Sequence, residues 1–251
     1  MMKSIVAALV VSAAYLGPSP AAADEIVVFS TPSLKPVLDH LGPKFEGSTR
    51  HTLKVTYAAV AALKREIDGG AAFDVALLLP AAVDDLIKEG KAARASRTDL
   101  AVALVGVAVR KGLPRPDISS PDALRRSLLS TNSAAYGADS ASGKYFLSLI
   151  DRLGIGPQMQ TKLKTVSGNP VEAVARGDAD LTVITVPNIV TVQAVEFAGV
   201  LPSPLQNVTT YTAVVSAAAE NSAPANAFVQ YLNSADATAA FIANGLQRPA
   251  P

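Results

Sequence analysis

From residue 25 onward, short runs of β-branched and other apolar residues alternate with segments in which apolar residues recur every three or four positions. The first run, residues 26–29 (IVVF), predicts a buried strand, and the spacing after it predicts a helix over residues 34–45. Residues 53–57 and 73–79 predict two further strands, each followed by another helical pattern. Strands that alternate with helices in this way indicate an α/β fold built on largely parallel sheets.

Two longer β segments separate this first set of units from a second one. Residues 100–110 and 208–216 predict long strands, and shorter strand and helix patterns start again between them at residue 133. This arrangement predicts two lobes joined by two chain crossings. Two helical patterns over residues 223–244 would then return to the first lobe.

The predicted fold is therefore an α/β clamshell, in which each lobe is a mostly parallel sheet flanked by helices and the two crossings act as hinges. We place residues 24–105 and 211–251 in the first lobe and residues 106–210 in the second.

The first 23 residues have the pattern of a secretory signal peptide. Lys3 precedes an apolar run over residues 5–16, and Ala21-Ala22-Ala23 offers small residues for cleavage after Ala23. A membrane anchor is the competing interpretation, but the run is well short of the roughly 20 residues that span a bilayer. We therefore expect export to the periplasm.

Composition narrows the classes of function. The chain has no cysteine, which excludes disulfides, a thiol nucleophile and thiolate metal sites, and it has only two histidines, His40 and His51. The formal charge is +1, and a balance near zero disfavours a nucleic-acid partner. The sequence predicts no bound metal and no cofactor.

No pattern of catalytic residues stands out. The segment GADSASGK at residues 137–144 resembles a phosphate-binding loop, but its glycines are six positions apart and Tyr145 follows the lysine. Both histidines lie early in the chain and no nucleophile-elbow motif accompanies them, so a serine hydrolase is poorly supported. The pattern predicts that the protein is not an enzyme.

Small polar clusters recur instead at the turns between strands and helices. Ser30-Thr31-Pro32-Ser33 follows the first strand, Ser140-Ala141-Ser142-Gly143 precedes one helix, and Ser167-Gly168-Asn169-Pro170 precedes another. Each can be an ordinary helix cap. If several meet at the carboxyl ends of the strands, their amides and hydroxyls can bind an anion without Lys or Arg.

The sequence also resembles the periplasmic molybdate-binding proteins and related substrate-binding components of ABC importers. The likeness covers nearly all of residues 24–245 and rests on VVFSTPSL at 27–34, YAAVAALKREIDGGAAFDVALL from 57, SGKYFLSLIDRLG from 142, ARGDADLTVI from 175, and FVQYLNSADATAAFIANGL at 228–246. It implies a two-lobe clamshell that delivers a small anion to a membrane permease.

The resemblance assigns ligand contacts unevenly. Ser33 matches a hydroxyl donor and Ser142 a backbone-amide donor, whereas three other positions depart from the family. Ala58-Ala59-Val60-Ala61-Ala62 replaces a serine-rich turn, Pro170 has no N–H to give, and Thr185 stands where many members have a tyrosine. The candidate ligand-binding residues are Ser30, Thr31, Ser33, Ala59, Val60, Ser140, Ser142, Gly143, Asn169, Thr185 and Asn188.

We therefore expect a monomeric periplasmic solute-binding protein of an ABC importer that binds a small oxyanion of the molybdate or tungstate type between its lobes. An organic carboxylate or another small polar solute is the alternative ligand, favoured by the altered donors and the alanines. An exported module that senses its ligand without a transporter is a second alternative, and a periplasmic hydrolase is a third. The expected partners are a small anion and an inner-membrane permease.

Overall fold

A computed structural model describes residues 24–138, 140–219 and 222–249. The predicted signal peptide, residues 1–23, lies outside these ranges. Among the described residues, no helix has both the length and the apolar character needed to cross a membrane.

The first lobe is a five-stranded sheet with helices on both faces, and a short sixth strand pairs with its long strand. The sheet order is β2-β1-β3-β9-β4, with β10 against β4. The elements are β1 (Glu25–Ser30), α1 (Lys35–Thr49), β2 (Thr52–Tyr57), α2 (Val60–Asp68), β3 (Val75–Leu78), α3 (Pro80–Lys88), the first half of β4 (Thr98–Arg110), β9 (Val208–Val215), α9 (Ser222–Leu232), α10 (Ala235–Ala243) and β10 (Leu246–Gln247).

Apolar spacing decides which faces of these elements are buried. Helix α1 presents Leu38, Leu41 and Phe45 to a core that it shares with Phe228 of α9 and Phe241 of α10. The carboxyl-terminal helices therefore pack in the first-lobe core. The other face of the sheet packs on α2 and α3.

The second lobe repeats this design on a smaller scale. Its sheet order is β4-β7-β5-β6, and β8 also pairs with β4. The elements are α4 (Pro121–Ser130), β5 (Ala134–Tyr136), α5 (Ala141–Arg152), α6 (Gly156–Met159), β6 (Leu163–Thr165), α7 (Pro170–Arg176), β7 (Leu181–Thr185), α8 (Val186–Val190) and β8 (Val195–Val200).

Strand β4 joins the two lobes because its two halves pair with different partners. Residues up to Leu104 pair with β9, and residues from Val105 onward pair with β7. The Gln206 side chain braces this junction, since its Oε1 accepts from the Val105 N–H at 2.7 Å and its Nε2 donates to the Leu201 carbonyl at 3.1 Å. The predicted long strands are thus the elements that connect the lobes.

The two-lobe α/β fold is confirmed, and its sheets are mixed. Strand β1 pairs in parallel with β2 and β3, and β5 pairs in parallel with β6 and β7. The pairing is antiparallel at the two strands that connect the lobes, because β9 runs antiparallel to β3 and β4, and β4 runs antiparallel to β7. The sequence pattern of residues 188–195 also predicts a helix, and this prediction is wrong: the helix there is the short α8, and Val195 begins strand β8. The lobe boundaries stay predictions.

Candidate functional site

A cavity of about 640 Å³ lies between the turns of the two lobes. Nine of the eleven predicted residues line it. From the first lobe come Thr31, Ser33, Ala59 and Val60, and from the second come Ser140, Ser142, Asn169, Thr185 and Asn188. The turns meet because each follows the carboxyl end of a strand, the edge at which α/β sheets bind ligands.

The turn after β1 supplies two hydroxyls to the cavity wall. Ser33 is half-buried. Thr31 is only 6% exposed, and its Oγ1 atom has no hydrogen-bond partner among the described residues. A buried hydroxyl without a partner is costly, so this atom calls for an explanation. Ser30 is different: it is fully buried and is not part of the cavity wall.

Helix α2 starts at the cavity without a side-chain cap. Its N-cap residue is Ala59, which has no polar side chain to accept from the first-turn amides. The first N–H groups of a helix have no partner within that helix and carry partial positive charge. The alanines in this turn therefore leave backbone donors available to a ligand while removing hydroxyls.

Two neighbouring serines at the start of α5 have different surroundings. The Ser140 hydroxyl accepts from the Gly143 N–H at 2.9 Å and donates to the Gly137 carbonyl at 2.9 Å, so it caps the helix. Ser142 is half-buried in the cavity wall. Gly143 does not line the cavity, and its amide is already used by Ser140. Here a glycine is required for packing, because a Cβ would lie 1.9 Å from the Gly137 carbonyl oxygen.

The rest of the second-lobe wall comes from the starts of α7 and α8. Asn169 caps α7 by accepting from the Val171 N–H at 3.1 Å. Pro170 also lines the cavity and supplies no amide. At α8, the Asn188 side-chain amide donates to the Thr185 hydroxyl at 2.7 Å. This bond leaves the Thr185 hydroxyl proton free to point toward a ligand.

The cavity wall includes polar side chains but carries no formal charge. Among the described residues that form it, none is Asp, Glu, Lys, Arg or His, and Tyr211 is the one titratable group. Burial raises the pKa of the Tyr211 phenol, and a hydrogen bond with Ser33 offsets part of that rise. The phenol is therefore protonated at neutral pH.

Sequence reasoning missed Tyr211 and Thr209, both of which line the cavity from β9. Residues two apart on a strand share a face, so period-two spacing at the start of this crossing strand was the available signal. The sequence pattern of β9 predicted a strand that crosses between the lobes, but it does not show that Thr209 and Tyr211 face the cavity.

Two α/β lobes around a shared cavity define the periplasmic-binding-protein class, and solved structures of that class match the fold. The substrate-binding domain of a molybdenum ABC transporter from Clostridium difficile matches with a TM-score of 0.78 and 19% identity, over 91% of this chain and 100% of that one. The periplasmic molybdate-binding protein of Azotobacter vinelandii matches with a TM-score of 0.69 and 19% identity, over 90% and 100%. At these identities the likeness shows the fold alone.

The chain belongs to the family of bacterial extracellular solute-binding proteins, which it matches over residues 26–247. It is also similar to an aconitate isomerase from a Pseudomonas species, with 30% identity over 233 residues that cover 90% of this chain and 88% of that protein. The family is therefore one of binding proteins, and this relative carries the name of an enzyme.

Proposed function

We propose that the protein is a periplasmic solute-binding protein that holds a small anion between its two lobes. The observation that carries this proposal is a cavity to which both lobes contribute neutral donors and helix starts. Hydroxyls and first-turn amides stabilise an anion without a counter-charge. A signal peptide cleaved after Ala23 would deliver the chain to the periplasm.

An organic carboxylate fits this cavity better than a tetrahedral oxyanion does. A volume of about 640 Å³ is within the range of pockets that enclose organic ligands. Leu79, Pro170 and Ile184 add apolar surface, which suits a carbon skeleton. The name of the aconitate isomerase relative supports the same class. The molybdate-type oxyanions remain the rival class, supported by the names of the structural neighbours.

A thermal-shift panel tests the proposal. Molybdate, tungstate, sulfate and phosphate form one arm, and cis-aconitate, trans-aconitate and citrate form the other. A ligand that binds only the folded chain stabilises it by about 2.7 kcal/mol at one hundred times its Kd, which is several degrees for a chain of this length. A shift in the carboxylate arm alone supports our choice, a shift with oxyanions alone supports the rival, and no shift in either arm contradicts anion binding.

Delivery to the permease of an ABC importer is the role that we propose for the bound form. It predicts that deleting the gene abolishes high-affinity uptake of the ligand found in the panel. Unchanged uptake would favour the alternative of an exported sensing module.

Isomerisation of an unsaturated tricarboxylate is a second candidate, favoured by the relative's name alone. Moving a double bond between allylic positions requires a base that removes a carbon-bound proton. The titratable group that the described cavity wall offers is a protonated phenol, which is a poor base. Incubation with excess cis-aconitate, followed by proton NMR, decides the matter: many equivalents of trans-aconitate per protein would establish turnover, and binding without conversion would establish carriage.

A further inference from the structure

The two lobes touch beside the cavity, where the turn after α10 meets the start of α8. Strand β10 pairs with residues 102–103 of β4, and β7 begins its pairing with β4 two residues further along, at Val105. Gly245 immediately precedes β10, and Val186 immediately follows β7. A Cβ at Gly245 would lie 2.9 Å from Val186 Cγ1 and 3.1 Å from the Pro187 nitrogen. A glycine is therefore required here for the close approach of the two lobes.

Both sides of this contact are held in place. In the first lobe, Arg248 donates to the Leu100 carbonyl at 2.6 Å and so ties the segment after α10 to the lobe. In the second lobe, Val186 is only 7% exposed, and its Cγ2 atom lies 3.3 Å from the position that a Cβ on Gly106 would occupy. The Val186 side chain thus has little room to turn away. A side chain added at Gly245 would have to displace the start of α8.

The start of α8 also carries part of the cavity wall. Thr185 directly precedes Val186, Asn188 directly follows Pro187, and both Thr185 and Asn188 line the cavity. The Asn188 amide donates to the Thr185 hydroxyl at 2.7 Å, which links the two residues. A displacement of the residues between them would therefore move this part of the wall relative to the donors of the first lobe.

We infer that Gly245 is a positioning residue, whose close contact with Val186 sets the placement of α8 against the first lobe and with it the spacing across the anion site. The effect on the ligand rests on the proposed function, whereas the placement of the lobes does not. Shifts of less than 1 Å at such a contact are amplified into lobe movements, because packed interfaces switch between discrete arrangements.

A pair of asparagine variants isolates this contact. Asparagine tolerates the left-handed conformation, so Gly245→Asn adds a Cβ at little backbone strain. Gly90→Asn is the matched control, because Gly90 follows α3 at the position that Gly245 has after α10. The φ angles are +71° at Gly90 and +76° at Gly245, and a Cβ at Gly90 would have no atom within 4 Å. The two variants therefore differ in the contact between the lobes.

Spin labels measure the placement of the lobes without any ligand. The chain has no cysteine, so Arg65→Cys on α2 and Arg125→Cys on α4 give one labelled pair across the lobes, and both side chains are exposed. Pulsed electron paramagnetic resonance should show a shifted distance distribution in Gly245→Asn and the wild-type distribution in Gly90→Asn. A wild-type distribution in Gly245→Asn would overturn the positioning role. If Gly245→Asn does not fold, Gly245→Ala with Gly90→Ala as its control makes the same comparison.

Calorimetric titration with trans-aconitate and molybdate measures the effect on the site. For the probe that binds the wild type, Gly245→Asn should weaken binding about tenfold or more, the loss of one charge-assisted hydrogen bond, and Gly90→Asn should bind like the wild type. Val186→Ala removes the Cγ1 atom that the new Cβ would meet, so Gly245→Asn should cost less affinity in that background.

Losses that multiply in the double variant, or an unchanged affinity of Gly245→Asn, would overturn the positioning of the site by this contact. Failure of both probes to bind the wild type would overturn the proposed function instead. The distance distributions of the ligand-free variants would still decide whether Gly245 sets the placement of the lobes.

Discussion

Thr31 and Thr182 form a matched pair of buried hydroxyls. The Oγ1 atom of each is buried without a hydrogen-bond partner among the described residues. Thr31 is part of the cavity wall, whereas Thr182 is fully buried in β7 and away from it. Replacement by valine removes the hydroxyl and nearly preserves the shape. Comparing the two valine variants distinguishes a hydroxyl that binds the ligand, at Thr31, from one that only destabilises the folded state, at Thr182.

The expected magnitudes follow from burial. An unsatisfied buried hydroxyl costs about 1–3 kcal/mol, so each valine variant should keep or raise the stability of the ligand-free protein. A gain of 1 kcal/mol corresponds to about 2–4 °C in Tm for a chain of this size. If Thr31 turns its hydroxyl to the ligand, Thr31→Val should weaken Kd about tenfold. At a ligand concentration of one hundred times the wild-type Kd, this lowers the stabilisation by ligand from about 2.7 to about 1.4 kcal/mol.

Differential scanning calorimetry with and without the ligand measures both effects. Thr31→Val should be at least as stable as the wild type when free and should gain less from the ligand. Thr182→Val should be at least as stable when free and should gain as much as the wild type. A loss of more than 1 kcal/mol in both free variants would show that the hydroxyls are satisfied in solution. An undiminished ligand gain in Thr31→Val would show that Thr31 is not a donor.

Three further predictions concern the supports of the site. Ser140→Ala should cost about 0.5–2 kcal/mol of stability through loss of the α5 cap and should change affinity little, and a large loss of affinity at unchanged Tm would contradict the capping role. Gly143→Ala should destabilise the fold by about 2 kcal/mol or more, because the new Cβ would lie 1.9 Å from the Gly137 carbonyl oxygen. Urea unfolding measures this loss of stability, and a loss below about 0.5 kcal/mol would be inconsistent with that close packing. Hydrogen bonds from Lys64 and then Lys91 lower the pKa of the exposed Asp68 carboxyl to about 2. The stabilising effect of this carboxylate is therefore present above about pH 4 and is lost as the pH falls toward 2. Asp68→Asn should reduce the fall of Tm with decreasing pH over that range, and an unchanged fall would refute the linkage.

Local chemistry predicted much of the fold. The apolar spacing of α1 and the long runs of β4 and β9 are strong local signals, and they located both the first-lobe core and the chain crossings. Strand β8 escaped prediction because only four residues separate VEFAGV from α8 and its pairing with β4 is a long-range property. Sheet direction was equally hidden, since β9 pairs antiparallel between strands distant in sequence.

The sequence predicted which turns form the site, but not which side chains and amides in those turns face the cavity. Polar clusters at the turns, together with the family resemblance, pointed to nine residues of the cavity wall. Ser30 and Gly143 do not line the cavity. Local sequence cannot show that the Ser30 side chain is buried or that Ser140 already binds the Gly143 amide. Tyr211 was missed because it reaches the cavity from a distant strand.

The central claim is that one anion contacts both lobes at once, and calorimetric titration of two serine variants tests it most directly. Ser33 lies in the first lobe and Ser142 in the second, and both line the cavity. With the ligand found in the thermal-shift panel, Ser33→Ala and Ser142→Ala should each weaken binding about tenfold or more, while the Tm of each free variant stays within about 2 °C of the wild type. Wild-type affinity in either variant would contradict an anion clamped between the lobes.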